Sequence, residues 1–166
     1  SVELGSPRIN LGGQEFIVGQ NGQLLNLQNQ PATANITPAL PNGQPGPVTY
    51  SVSRISGQGT PLEYTVRRTA AVAGAALNMS VSYTNGKAIG AVISRNGVDT
   101  SYTFDYDASG RISIAQEGEI LATDIPTGVN IIPGERGLVF AQGENPVYFI
   151  GLNESGTLVS SRVDTN

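Results

Sequence analysis

The stretch DYDASGRIS, Asp105 to Ser113, decides how this chain is read. Its Asp, Ser and Gly suit either the first half of a calcium loop or the turn of a β-hairpin. A calcium loop would take ligands from Asp105, Asp107 and Ser109 around the turning Gly110. The position for a closing bidentate Glu holds Gln116, and Glu117 comes one residue late. The hairpin needs less: Gly110 supplies a positive φ, and Asp107 and Ser109 brace the backbone around it. Just upstream, Tyr102, Phe104 and Tyr106 alternate with polar neighbours, as on a half-buried strand, so the turn is the preferred reading. No metal and no cofactor are expected.

The same two-residue period extends in both directions. In LNMSVSY, Leu77, Met79, Val81 and Tyr83 share one face, and in VTYSVSRI, Val48, Tyr50 and Val52 do. Turn signals punctuate these runs at Asn21-Gly22, Asn85-Gly86, Asn96-Gly97, Ser109-Gly110, Pro133-Gly134 and Ser155-Gly156. The strands expected are Glu15–Val18, Leu24–Leu27, Val48–Ile55, Leu62–Arg68, Leu77–Tyr83, Ala88–Ser94, Thr100–Tyr106, Arg111–Ala115, Ile120–Asp124, Val129–Ile132, Leu138–Ala141, Val147–Leu152 and Thr157–Val163. No helix is expected, because AAVAGAAL (70–77) is interrupted by Gly74 and runs into an alternating strand. The fold class is all-β: an antiparallel β-sandwich or jelly-roll-like domain of short strands.

YDASGRI, from Tyr106 to Ile112, resembles one unit of the tyrosine-aspartate repeats of bacterial shell-forming toxins. The resemblance covers those residues alone, and such shells stack many copies. Echoes at YTNGKAI, GQNGQLL and LNESGTL keep no period, and hairpin chemistry explains all of them. The family is not carried over.

Two segments stand outside the strand pattern. Residues 28–47 carry five prolines and read as an extended loop. Residues 1–14 read as an N-terminal arm or first strand, in which Val2, Leu4, Ile9 and Leu11 alternate with polar neighbours without a turn leading to a partner. Such a segment serves as a strand of its own sheet or as one lent to a neighbouring subunit. The remainder, 15–166, is expected to form one domain. The start at Ser1 fits removal of Met or of a leader.

Composition narrows the function by exclusion. Nine basic residues against thirteen acidic, with a single lysine, disfavour nucleic acid and anionic membrane surfaces as partners. No apolar run approaches the roughly 18 residues of a membrane helix. With no His and no Cys, the chain lacks the usual neutral-pH base and nucleophile, and no enzyme is expected. The sequons at Asn35, Asn78 and Asn153 are about as many as chance supplies.

The expectation is a structural protein of a virion (a phage capsid or head-decoration subunit) that contacts copies of itself or a capsid protein, as a homo-oligomer. The alternative is a secreted filament subunit or adhesin assembling by strand donation. Third stands a carbohydrate-active module, which would present an exposed Tyr platform, Tyr102 or Tyr148, or paired carboxylates such as Glu117, Glu119 and Glu144.

Overall fold

The computed structural model describes residues 8–11, 14–19, 24–31, 51–56, 63–72, 75–143 and 145–163. These residues form three antiparallel sheets and no helix. A small sheet holds β1 (Arg8–Leu11), β2 (Gln14–Val18) and β3 (Leu24–Leu25). The largest sheet has seven strands: β4 (Ser51–Ser56), β5 (Glu63–Val72), β6 (Ala75–Thr84), β7 (Lys87–Arg95), β8 (Val98–Tyr106), β9 (Ile112–Gln116) and β10 (Glu119–Ile125). The third comprises β11 (Asn130–Pro133), β12 (Gly137–Gln142), β13 (Asn145–Leu152) and β14 (Leu158–Arg162).

Within each sheet every strand lies beside its chain neighbours. The architecture is therefore the sandwich of the sequence expectation, built from meanders, and the crossed strand order of a jelly roll is absent among the described residues. Connections of two residues at Asn85-Gly86 and Asn96-Gly97 reach only to an adjacent antiparallel strand.

Alternation builds the core. Leu77, Met79, Val81 and Tyr83 of β6 are all buried, while between them Asn78 is exposed and Ser80 and Ser82 are half-buried. Full burial of each large aliphatic side chain contributes roughly 1.5–3 kcal/mol. The third sheet packs on the same face: β11 lies against β5, β6 and β7, and β12 against β6. Phe140 of β12 meets Phe104 of β8 edge to face at 5.6 Å. The Tyr83 hydroxyl crosses between sheets to donate to the Ile131 carbonyl, and its ring stacks on Tyr64.

Strand β12 does not alternate. Leu138, Val139, Phe140 and Ala141 are each 1% exposed or less, so both faces of this strand are covered. The contiguous core that contains them also takes in Ile9, Phe16, Val18 and Leu24 of the small sheet.

One sequence alternative is decided, that of a first strand over Arg8–Leu11, and two expectations change. Arg8–Leu11 has a partner: Ile9 pairs with Phe16 and Leu11 with Gln14, so only Gly12 and Gly13 separate the paired ends. Ile9 is buried in its own subunit, whereas Val2 and Leu4 lie outside the described residues. The strand expected over Leu24–Leu27 ends at Leu25, because Asn26 starts a turn that leaves Leu27 exposed. Finally β5 and β6 extend into the alanine-rich stretch, with Ala71 opposite Ala76 and Val72 opposite Ala75. Alanine is a poor strand former by itself, and the paired partner strand overrides that preference. Of the proline-rich segment, Pro31 bridges Leu25, and 32–47 lie outside the described residues.

One close approach depends on glycine. Gly137 and Gly151 face each other across β12 and β13. A Cβ on Gly151 would stand 2.2 Å from the Arg136 carbonyl oxygen and 2.7 Å from Gly137 Cα. Substituting Gly151→Ala is expected to destabilise the protein by about 1–3 kcal/mol, read as a lower urea midpoint with an unchanged slope.

Candidate functional site

The DYDASGRIS turn is closed by its own aspartate. Asp107 Oδ1 accepts from the Ser109 N–H at 2.9 Å, the Ser109 hydroxyl at 2.8 Å and the Arg111 N–H at 2.9 Å. Asp107 N–H donates to the Arg111 carbonyl, and Gly110 takes φ +88. An oxygen so engaged is a turn brace. Asp105 lies on β8, opposite Ser113 and exposed, and no group of three or more acidic residues placed to hold a metal ion occurs among the described residues. The calcium reading through Asp105, Asp107 and Ser109 therefore has no support in the geometry.

The same turn recurs. Asn153 Oδ1 accepts from the Ser155 N–H and hydroxyl and from the Thr157 N–H, with Gly156 at φ +83. Asn26 Oδ1 accepts from the N–H groups of Gln28 and Gln30, with Asn29 at φ +67 in the glycine position. Sequence reading missed the Asn26 turn because Asn replaces Gly at the left-handed residue. Glu117-Gly118 falls in the gap expected between the strands Arg111–Ala115 and Ile120–Asp124, and there Glu117 adopts φ +49, an unusual place for Glu. Asn85-Gly86 and Asn96-Gly97 have positive φ at both residues, as the tightest hairpins require.

Neither Tyr102 nor Tyr148 offers an exposed platform. Tyr102 and Tyr148 are 3% and 4% exposed, because both occupy core-facing positions of their strands. Tyr148 packs edge to face on Phe140 at 5.4 Å. The Tyr102 hydroxyl is buried without a hydrogen-bond partner. Burial, with smaller contributions from Glu117 and Tyr148, pushes its pKa up to about 12. Glu117 and Glu119 are exposed, Glu117 accepting from the Ser101 N–H, and Glu144 lies outside the described residues.

Two surface features remain. The first is a cavity of about 210 Å³ at the end of the sandwich where three turns converge, bounded by Tyr83, Lys87, Ala88, Tyr106, Val129 and Ile131. The Tyr106 hydroxyl donates to the Ala88 carbonyl at 2.6 Å, and burial raises its pKa to about 12. Lys87 Nζ sits 4.5 Å from the Tyr106 ring centroid.

The second is the outer face of the seven-stranded sheet. Register aligns Thr65, Ser82, Gly90 and Thr103 in one row and Arg67, Ser80, Val92 and Ser101 in the next. A third row holds Thr69, Asn78, Ser94 and Asp99. Cross-strand hydrogen bonds tie Thr65 to Ser82 at 3.2 Å and Thr69 to Asn78 at 2.7 Å. The centre of this face is short and uncharged, and Glu63, Arg67, Asp99 and Asp105 surround it.

No protein-family model, curated protein or solved structure matches this chain.

Two substitutions test this account. The Ser109 hydroxyl, then the Arg111 N–H, hold the Asp107 carboxyl below its usual pKa. The stability this brings is present above the unfolded carboxylate range and is lost as pH falls through the lower folded value. Asp107→Asn should preserve the turn, as Asn153 does, and remove that part of the acid-side loss in unfolding titrations run from pH 7 to pH 2. Tyr102→Phe removes an orphaned buried hydroxyl and should raise stability at pH 7 by about 1 kcal/mol. The native proton on Tyr102 stabilises the fold fully below pH 10 and progressively less as pH rises through about 12. The variant should accordingly lose less stability in that window; an unchanged alkaline profile with a lower melting temperature would contradict the assignment.

Proposed function

We propose that this chain is a non-enzymatic structural subunit that assembles with neighbours through the outer face of its seven-stranded sheet. The observation that carries the reading is the composition of that face: Ser80, Ser82, Gly90, Val92, Ser94 and Asn78 at its centre, with charge kept to its surround. Docking such a surface strips water from hydroxyl and methyl groups and spares the carboxylates and the Arg67 guanidinium at the rim their costly desolvation.

Size agrees. Seven strands spaced about 4.8 Å apart and about 26 Å long present on the order of 750 Å², one side of a standard protein interface. The face has no aromatic anchor at its centre, so each contact is weak and gains strength by repetition. Repetition favours a lattice. The setting proposed is therefore a virion, with the chain as a capsid or head-decoration subunit whose partners are its own copies or a capsid protein.

Strand donation in a secreted filament is the second reading. It is disfavoured by the pairing of Arg8–Leu11 with Gln14–Val18 in the same chain.

Light scattering and negative-stain microscopy of the intact protein test the proposal alongside a Ser80→Lys, Val92→Lys variant. The intact chain should form oligomers whose mass rises with concentration. The variant should keep the same strand-rich circular dichroism and melting temperature within a few degrees while remaining monomeric. An intact chain that stays monomeric up to millimolar concentration rules out self-assembly, and equal assembly by the variant moves the interface elsewhere.

A further inference from the structure

The cavity at the end of the sandwich takes no part in the assembly reading, and its chemistry is specific. It lies between the turn after β6, the turn after β8 and the connection from β10 to β11, represented by Gly86, Gly110 and Thr127 to Val129. Its walls combine apolar surface from Ala88, Val129 and Ile131 with two tyrosine rings. Both rings are fixed, because the Tyr83 and Tyr106 hydroxyls are committed to the carbonyls of Ile131 and Ala88.

Lys87 is the only lysine in the chain. Its ammonium is held over the Tyr106 ring, 4.5 Å from the centroid, an interaction that positions a cation without neutralising it. The two ion pairs among the described residues are Arg8 with Glu15 and Arg111 with Asp124, and Lys87 belongs to neither. No Asp or Glu is among the described residues that line the cavity. In a protein of net charge −4, a positioned ammonium at a partly apolar cavity whose described lining carries no acidic group selects for negative charge.

We infer that this cavity binds a small organic carboxylate, its charged group on Lys87 Nζ and its short apolar body against Ala88, Val129 and Ile131. A single cation matches a single negative charge; the described lining has neither the arginine fork nor the helix terminus that serves a doubly charged phosphate. The volume of about 210 Å³ lies below the roughly 300–1,000 Å³ of drug-sized sites, which restricts the occupant to a compact molecule. With one exposed ion pair and little apolar area, the dissociation constant should be on the order of 1 mM.

The test is a titration of the ¹⁵N-labelled full chain with sodium butyrate at constant ionic strength, with n-butanol as the uncharged control. Butyrate should move the amide signals of Gly86, Gly110 and Gly128 along saturable curves, and butanol should need about fivefold higher concentration for the same shifts. Lys87→Gln should weaken butyrate binding about fivefold with the remaining spectrum unchanged, and Lys87→Arg should retain most of it. Absence of saturable shifts at 100 mM butyrate overturns the inference, as does equal binding of butanol. The comparison of the two ligands on the unaltered chain decides the matter even should the Gln variant fail to fold.

Discussion

Each sheet pairs strands only in chain order, so the register of the whole structure rests on a handful of turn residues that hold a positive φ. Strand side chains alternate with a period of two, and a slip of one residue at any hairpin would send Leu77, Met79, Val81 and Tyr83 to the solvent face. Asn85-Gly86, Asn96-Gly97 and Glu117-Gly118 prevent that slip by making the tight turn favourable in one register. At wider turns Asp107, Asn153 and Asn26 do the same work by collecting N–H groups onto a single side-chain oxygen.

Where the register is interrupted, the interruption has a use. Tyr83 pairs with Ala88 and Ser82 with Gly90, leaving Ile89 as an extra residue that points outward. The Tyr106 hydroxyl bonds the Ala88 carbonyl beside this bulge, and Lys87 lies over the same ring. The irregularity thus aligns the groups that shape the end cavity. On β10 two register shifts, with Asp124 at φ +59, break up the outermost strand of the large sheet and make it a poor template for a further strand. That protected edge is consistent with contacts made through the face of the sheet.

The sandwich contains more covered surface than a two-layer description implies. Both faces of β12 are buried, and its hydrogen-bonded backbone is shielded with them. Arg136 closes the end of this layer by donating to the carbonyls of Leu152 and Asn153 at 3.1 and 2.6 Å. Against this well-satisfied background the unpartnered Tyr102 hydroxyl and Arg95 Nη1 are exceptions.

The all-β class, the positions of the strands from β2 onward and the hairpin reading of DYDASGRIS were legible in the residues alone, because alternation and turn chemistry act over a few neighbouring positions. The outer face was legible only in part: Ser80, Ser82 and Asn78 are visibly polar in β6, but their alignment with Thr65, Val92 and Ser94 depends on pairing between strands. The end cavity was not legible, since Lys87, Tyr106 and Ile131 meet only when the turns of separate hairpins converge. Alternation already put Tyr102 on the apolar side of its strand, and a home strand was one of two readings of residues 1–14; the packing of the sheets and the pairing of Arg8–Leu11 with Gln14–Val18 decided between the alternatives. Local periodicity therefore determined which segments are strands, and the packing of one sheet on another decided which of their side chains face the core, the cavity and the surface.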